Sequence, residues 1–204
     1  MNKVVLISGA STGFGRSISK LLTSNNFRVY GTSRNPKKYT DFEGLELLKY
    51  DLTTFKDSKN LVKKVLSTEG KIDILINNAG SGFAGPIEEM SIKDAKHLFD
   101  INFFGHIDLI QAVLPSMRKN KRGIIVNITS IAGYNTVPFG SIYSASKYSM
   151  ECLGASLNME LKDFGIRVVN IAPGDYRTEV FNKRIKTNLN INSPYYSRYK
   201  KFSE

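Results

Sequence analysis

The chain has 204 residues, 41% of them hydrophobic, a formal net charge of +11 and one cysteine. That length supports one sizeable core and is short for two domains, and a lone Cys152 excludes an intrachain disulfide framework. No apolar run is long enough to span a bilayer, and the run Val4 to Ile7 is too short for a signal-peptide core, so a cytoplasmic protein is expected.

The basic excess raises nucleic acid as a partner, but the cations are spread along the chain without a zinc-finger, RNP or basic-region pattern. The group Lys183, Arg184, Lys186, Arg198, Lys200 and Lys201 reads as a solvated surface whose field also favours an anionic cofactor. Neither a nucleic-acid partner nor a membrane span is expected.

In chain order, short valine- and isoleucine-rich runs predict strands at Val4 to Ile7, Phe27 to Gly31, Leu45 to Leu48, Ile72 to Ile76, Gly123 to Ile128 and Arg167 to Ile171. Helical patterns fall between them at Gly15 to Ser24, Phe55 to Ser67, Ile92 to Met117 and Ile142 to Asp163. Ser91 is a credible N-cap for the long helix, and Pro115 is a stop cue in its last turn. Near-continuous apolar strands alternating with helices predict an α/β fold, a doubly wound Rossmann-type parallel sheet with helices on both faces. Residues 1–180 read as the dinucleotide-binding and catalytic part of a single domain, and 181–204 as its basic, polar C-terminal segment.

Between the first strand and first helix lies Gly9-Ala10-Ser11-Thr12-Gly13-Phe14-Gly15. Glycines there let the backbone approach a pyrophosphate, and the helix N-terminus favours its charge. The competing reading is a tight strand-to-helix turn. The second strand runs into Ser33 and Arg34, with no carboxylate until Asp41. A 2'-phosphate wants a cation there and an unphosphorylated ribose an acid, so NADP(H) is favoured over NAD(H), with Ser33 and Ser11 beside Arg34. An Arg34 simply solvated at a strand end is the alternative.

Tyr143 and Lys147 lie four apart on a predicted helix and so share a face. A cation beside a phenol lowers its pKa; a drop of about three units corresponds to roughly 4 kcal/mol, which a partly desolvated ammonium can supply. The bland reading is a half-buried tyrosine beside a solvated lysine. His97 and His106 lack ligand spacing to any Cys or Glu, so no metal site is expected and neither histidine receives a role. Ser130 lacks both a histidine base and a nucleophile elbow.

Taken together, Gly9-x-x-x-Gly13-x-Gly15, Asn77-Asn78-Ala79-Gly80, Asn102, Ser130, Tyr143-x-x-x-Lys147 and Pro173-Gly174 resemble, in order and spacing, the short-chain dehydrogenase/reductase family over about Lys3 to Val180. The resemblance implies that Tyr143 exchanges a proton with the substrate oxygen, Lys147 binds the nicotinamide ribose and lowers the tyrosine pKa, and Ser130 donates to the carbonyl oxygen. Asn102 would help hold a proton-relay water, unless its amide is satisfied on nearby backbone. Asp51 would contact the adenine with Leu52 beside it, or serve a turn. Asn77 would stabilise the sheet, Asn78, Ala79 and Gly80 would run beside the cofactor ribose, and Pro173, Gly174 and Thr178 would close over the carboxamide.

The expected function is an NADP(H)-dependent oxidoreductase interconverting a carbonyl and an alcohol; the alternative is a catalytically impaired nucleotide-binding scaffold or interaction protein on the same fold. Phe83, Val137, Phe139 and Tyr176 suggest an apolar substrate. Relatives continue further after the threonine, so the C-terminal strand and substrate lid are expected to be short or missing, with a homo-oligomer compatible but not required.

Overall fold

The structure is a computed structural model that describes residues 2–39, 43–55, 57–174, 184–186 and 189–203, with the backbone alone described at 185, 186 and 203. Six strands, β1 (Val4–Ile7), β2 (Arg28–Ser33), β3 (Leu45–Lys49), β4 (Ile74–Asn77), β6 (Gly123–Ile128) and β7 (Ile166–Ile171), form one parallel sheet in the order β3-β2-β1-β4-β6-β7. Two-residue strands β5 (Phe83–Ala84) and β8 (Ile185–Lys186) pair separately. The helices are α1 (Gly13–Ser24), α2 (Ser58–Glu69), α3 (Ile92–Phe99), α4 (Gly105–Lys119), α5 (Ser141–Glu160) and α6 (Tyr196–Ser203).

Alternation along the strands supplies a core on each face. Val4 and Leu6 join Tyr30, Leu75, Leu109, Val113 and Ile125, whereas Val5 and Ile7 join Val29 and Ile76 against Ile18 and Leu22 of α1. Crossovers place β1 and β4 side by side at the centre, and the loops following β1, β4, β6 and β7 emerge at one end of the sheet. Open α/β sheets bind ligands at that carboxyl end, where strand order reverses.

Several boundaries differ from those predicted. Helix α2 begins at Ser58 because Asp51 Oδ1 accepts from both the backbone N and Oγ1 of Thr53, at 3.0 and 2.9 Å, and turns hold the chain up to Asp57. Strand β4 begins at Ile74 because the Asp73 side chain, not a carbonyl, accepts from Val4 N at 2.8 Å. The long helix is divided by a π-helical turn, Asp100–Phe104. Its extra residue turns Asn102 toward Ser81 and Ser146, while Gly105 packs so closely on Leu52 that a Cβ would lie 2.5 Å from the Leu52 carbonyl oxygen. Pro115 does not stop α4, which runs on to Lys119; Gln111 and Pro115 are exposed, so water can take the carbonyl that proline leaves unpaired. Ser91 caps α3 as expected, accepting from Asp94 N at 3.0 Å.

The C-terminal segment is more than a solvated surface. Phe139 packs edge-on against Tyr199 of α6 at 5.4 Å and against Phe202 at 5.5 Å, and the Tyr199 hydroxyl donates to Ala84 O at 3.2 Å. Arg198, Lys200 and Lys201 remain exposed. Among the described residues no helix is long and apolar enough to cross a membrane.

Candidate active site

The loop after β1 forms a cradle of bare backbone. Gly9 and Gly13 have φ of 68° and 54°, which side chains rarely adopt. A Cβ on Gly9 would lie 2.8 Å from Ala79 Cβ, and one on Gly15 would overlap the Gly9 carbonyl oxygen. Thr12 at the N-cap of α1 makes no side-chain cap, and the first turn carries no acid, so the positive end of the helix dipole favours an anion there. These features fit a dinucleotide pyrophosphate.

The neighbouring loop is pinned to this cradle. Asn78 Nδ2 donates to the carbonyls of Ser8 at 2.9 Å and Gly9 at 3.1 Å, while Ser8 Oγ accepts from Asn78 N at 2.9 Å and Ala79 N at 3.0 Å. Thr32 Oγ1 on β2 accepts from Gly9 N at 3.2 Å. At the end of β2, Ser33 Oγ accepts from Asn35 N at 3.2 Å, and Arg34 is exposed. The turn role weighed for Asp51 is present, whereas Leu52 is buried against Gly105.

Lys147 and the loops around it make the opposite wall. Lys147 Nζ donates to Ile128 O at 3.0 Å and lies in reach of Gly80, where a Cβ would come within 3.6 Å of Nζ and 3.4 Å of Asn102 Oδ1. The lysine is buried, which pulls its pKa down to about 8 against the opposing pull of Glu151. Ser130 Oγ accepts from Ala132 N at 3.1 Å, leaving its O–H available to donate. Ile131 N donates to Pro173 O at 3.0 Å, drawing the Pro173-Gly174 turn beside Ser130. Tyr143 is half-buried, one turn before Lys147 on α5.

Both polar atoms of the Asn102 side chain are bonded within the protein. Its Oδ1 accepts from Ser81 N at 2.8 Å, and Nδ2 donates to Ser81 O at 2.9 Å and Ser146 Oγ at 3.0 Å. Both amide hydrogens are spent on the protein, so the side chain holds no water by donation. Ser146 in turn donates to Tyr143 O at 2.7 Å, so Asn102 braces the first turn of α5.

The apolar candidates divide. Phe83 is buried in β5; Val137 and Phe139 line an apolar groove of about 910 Å³ with Ser141, Ser144, Ala145 and Tyr148. Those four α5 residues form a stripe on the flank of the helix turned away from Tyr143 and Lys147. Tyr176 and Thr178 lie outside the described residues.

Four contributors are not evident from sequence motifs: Ser8, Ser146, Glu151 and His106. His106 Nε2 donates to Ala79 O at 2.8 Å, and its pKa falls to about 4 through burial, with the Lys147 charge adding to the effect. A small polar residue directly before the first glycine was the one sequence signal for Ser8; the others have none short of a contact. No group of His, Cys, Asp and Glu suited to a metal occurs among the described residues.

A model of the short chain dehydrogenase family matches residues 3–189. The chain is 37% identical over 182 residues to a 3-ketodihydrosphingosine reductase of Bacteroides thetaiotaomicron, covering 89% of this chain and 67% of that protein. A short-chain dehydrogenase from Streptomyces avermitilis superposes with a TM-score of 0.88 and 33% identity, over 97% of this chain and 74% of that one. A metagenomic short-chain oxidoreductase in complex with NADP gives a TM-score of 0.81 and 35% identity, over 86% and 83% respectively. With the glycine cradle at the carboxyl end of the sheet and Tyr143, Lys147 and Ser130 on the elements facing it, this chain belongs to the short-chain dehydrogenase/reductase family of oxidoreductases, which typically use NAD(P).

Proposed function

We propose that the chain is an NADP(H)-dependent oxidoreductase that interconverts a carbonyl and an alcohol, with Tyr143 as the general acid/base. The observation that carries this reading is the buried Lys147 ammonium, tethered to Ile128 O and one helical turn from Tyr143, facing the Gly80 turn. A nicotinamide dinucleotide, when bound, supplies or accepts the hydride.

The residues present fit that cofactor. Gly9, Ser11, Thr12, Gly13, Phe14 and Gly15 would hold the pyrophosphate, Asp51 and Leu52 the adenine, and Asn78, Ala79 and Gly80 the ribose. Ser33 and Arg34 would take a 2'-phosphate, since Arg34 is an exposed cation at the end of β2 and no carboxylate follows it in sequence before Asp41. The similar NADP-bound oxidoreductase supports the same preference. Pro173, Gly174 and Thr178 would close over the carboxamide.

In the reducing direction Ser130 donates its O–H to the substrate oxygen, where negative charge develops. Tyr143 gives up its phenolic proton to that oxygen, and the Lys147 ammonium stabilises the phenolate left behind. Asn102 fixes the wall formed by Ser81 and Ser146, so that Tyr143 keeps its place. The alcohol product then carries one added hydride on carbon and one added proton on oxygen. The name of the sphingosine-type relative supports an apolar, long-chain carbonyl as substrate.

The test is a fluorescence titration with NADPH and NADH, followed by turnover on ketones and aldehydes of increasing chain length, for wild type and Tyr143→Phe. NADPH binding by both proteins with turnover in wild type alone supports the proposal. Binding with no turnover in wild type favours a nucleotide-binding scaffold, and absence of binding overturns both.

A further inference from the structure

We propose that Glu151 sets the charge balance of the Tyr143–Lys147 pair, held in place by a one-way ladder of asparagine amides that crosses the sheet beneath the site. The proposal rests on the oxidoreductase reading above and assigns it a positioning residue outside the family motifs.

The ladder follows from strand register. Asn77 on β4, Asn127 on β6 and Asn170 on β7 are direct neighbours across the parallel sheet. Asn77 Nδ2 donates to Asn127 Oδ1 at 2.9 Å, Asn127 Nδ2 donates to Asn170 Oδ1 at 2.9 Å, and Asn170 Nδ2 donates to Glu151 Oε2 at 2.7 Å and Glu151 O at 3.0 Å. Glu151 dictates this direction. Both of its oxygens facing Asn170 are acceptors, so Asn170 must present its amide nitrogen there and its oxygen to Asn127, and the same choice passes on to Asn77. Three amide dipoles thus point their positive ends at one carboxylate, and such chains strengthen one another in a buried setting. Helix α5 is pressed against the end of the ladder at Gly154, where a Cβ would overlap the Asn170 amide.

The ladder meets the site along its length. Asn77 leads into the Asn78-Ala79-Gly80 turn, and Asn127 precedes Ile128, whose carbonyl holds Lys147 Nζ at 3.0 Å. Glu151 lies four residues beyond Lys147 on the same flank of α5, and both side chains are buried. Desolvation disfavours a buried ammonium, and a carboxylate in the same water-poor region offsets that cost. Glu151 acts on Lys147 in that sense.

The groups facing this pair come from several elements. They are Tyr143 on α5, His106 on α4, kept neutral by burial, and Tyr134 in the loop after β6, whose hydroxyl interacts with Glu151. The neutral Asn102, Asn170 and Ile128 carbonyl complete the surroundings. Removing the negative charge therefore lowers the pH at which both Lys147 and Tyr143 lose a proton, whichever direction of the reaction is followed.

The experiment is the pH profile of kcat/KM for carbonyl reduction by wild type, Glu151→Gln and Glu151→Asp, alongside a 13C NMR titration of the Lys147 side chain in the cofactor-free proteins. Glu151→Gln is expected to move the profile and the lysine midpoint to lower pH by about one unit, with Glu151→Asp restoring most of the shift. Should Glu151→Gln not fold, Glu151→Ala carries the same comparison. A purely structural Glu151 would lower stability or kcat uniformly and leave both midpoints where they are, and that result overturns the proposal. If wild type shows no turnover, the oxidoreductase reading fails by itself, and the lysine titration still decides whether Glu151 controls the ammonium.

Discussion

Lys147 Nζ donates to the main-chain carbonyl of Ile128 at 3.0 Å. The ammonium on α5 is thereby registered to the end of β6, one residue before Thr129 and two before Ser130, so strand and helix fix the relative positions of the groups that would meet a substrate oxygen. A lysine held only by its own four-carbon stem would be far less constrained.

The burial that makes Lys147 useful also costs stability. Below about pH 8 the lysine is charged in both folded and unfolded chains, and the fold bears the desolvation cost; between about 8 and 10.5 the fold sheds the proton while the unfolded chain keeps it, so stability rises with pH. The full difference is about 3 kcal/mol, partly offset by the bond to Ile128. Lys147→Met in the cofactor-free protein is expected to melt at or above the wild-type temperature at pH 7, with the difference shifting toward wild type by pH 10. Thermal scans across that range check it, and turnover should be lost in the same variant.

His106 gives an acid-side signature. Its folded pKa of about 4 lies below the ordinary 6.5, so its contribution is complete above pH 6.5 and is lost as pH falls toward 4, by about 3 kcal/mol. His106→Gln should flatten the loss of melting temperature between pH 6.5 and 4. Because the ring holds Ala79 O at 2.8 Å, the variant should also bind NADPH more weakly at neutral pH, by about three- to tenfold.

Gly15 is expected to tolerate no side chain. A Cβ there would overlap the Gly9 carbonyl and come 2.5 Å from Asn78 Nδ2, so Gly15→Ala must displace the cradle or the Asn78 bracket. A loss of about 1–3 kcal/mol in urea unfolding is expected from overpacking, with NADPH affinity falling at least about tenfold.

Arg34 separates the two cofactors. Arg34→Ala should raise the NADPH dissociation constant by about 10- to 100-fold, the worth of one or two charge-assisted hydrogen bonds, and leave NADH within about twofold. Equal weakening of both nucleotides in the fluorescence titration would remove Arg34 from the phosphate site.

What the sequence by itself determined was local. Strand-length apolar runs, the glycines of the first loop and the Tyr143–Lys147 spacing depend on neighbours a few residues apart, and the α/β class and the family follow from them. The strands expected at Val4 to Ile7 and Gly123 to Ile128 occur at those positions. What only the tertiary structure decided was the set of partners that long-range folding supplies. The π turn that points Asn102 at Ser81 and Ser146, the His106 bond to Ala79, and the alignment of Asn77, Asn127 and Asn170 join residues 21 to 50 apart in sequence. A lone asparagine or histidine reads the same in sequence whether it faces solvent or a buried acceptor. Its role appears only once strand register and helix packing have removed water and chosen the partner, because burial is what turns an available hydrogen bond into an obligatory one.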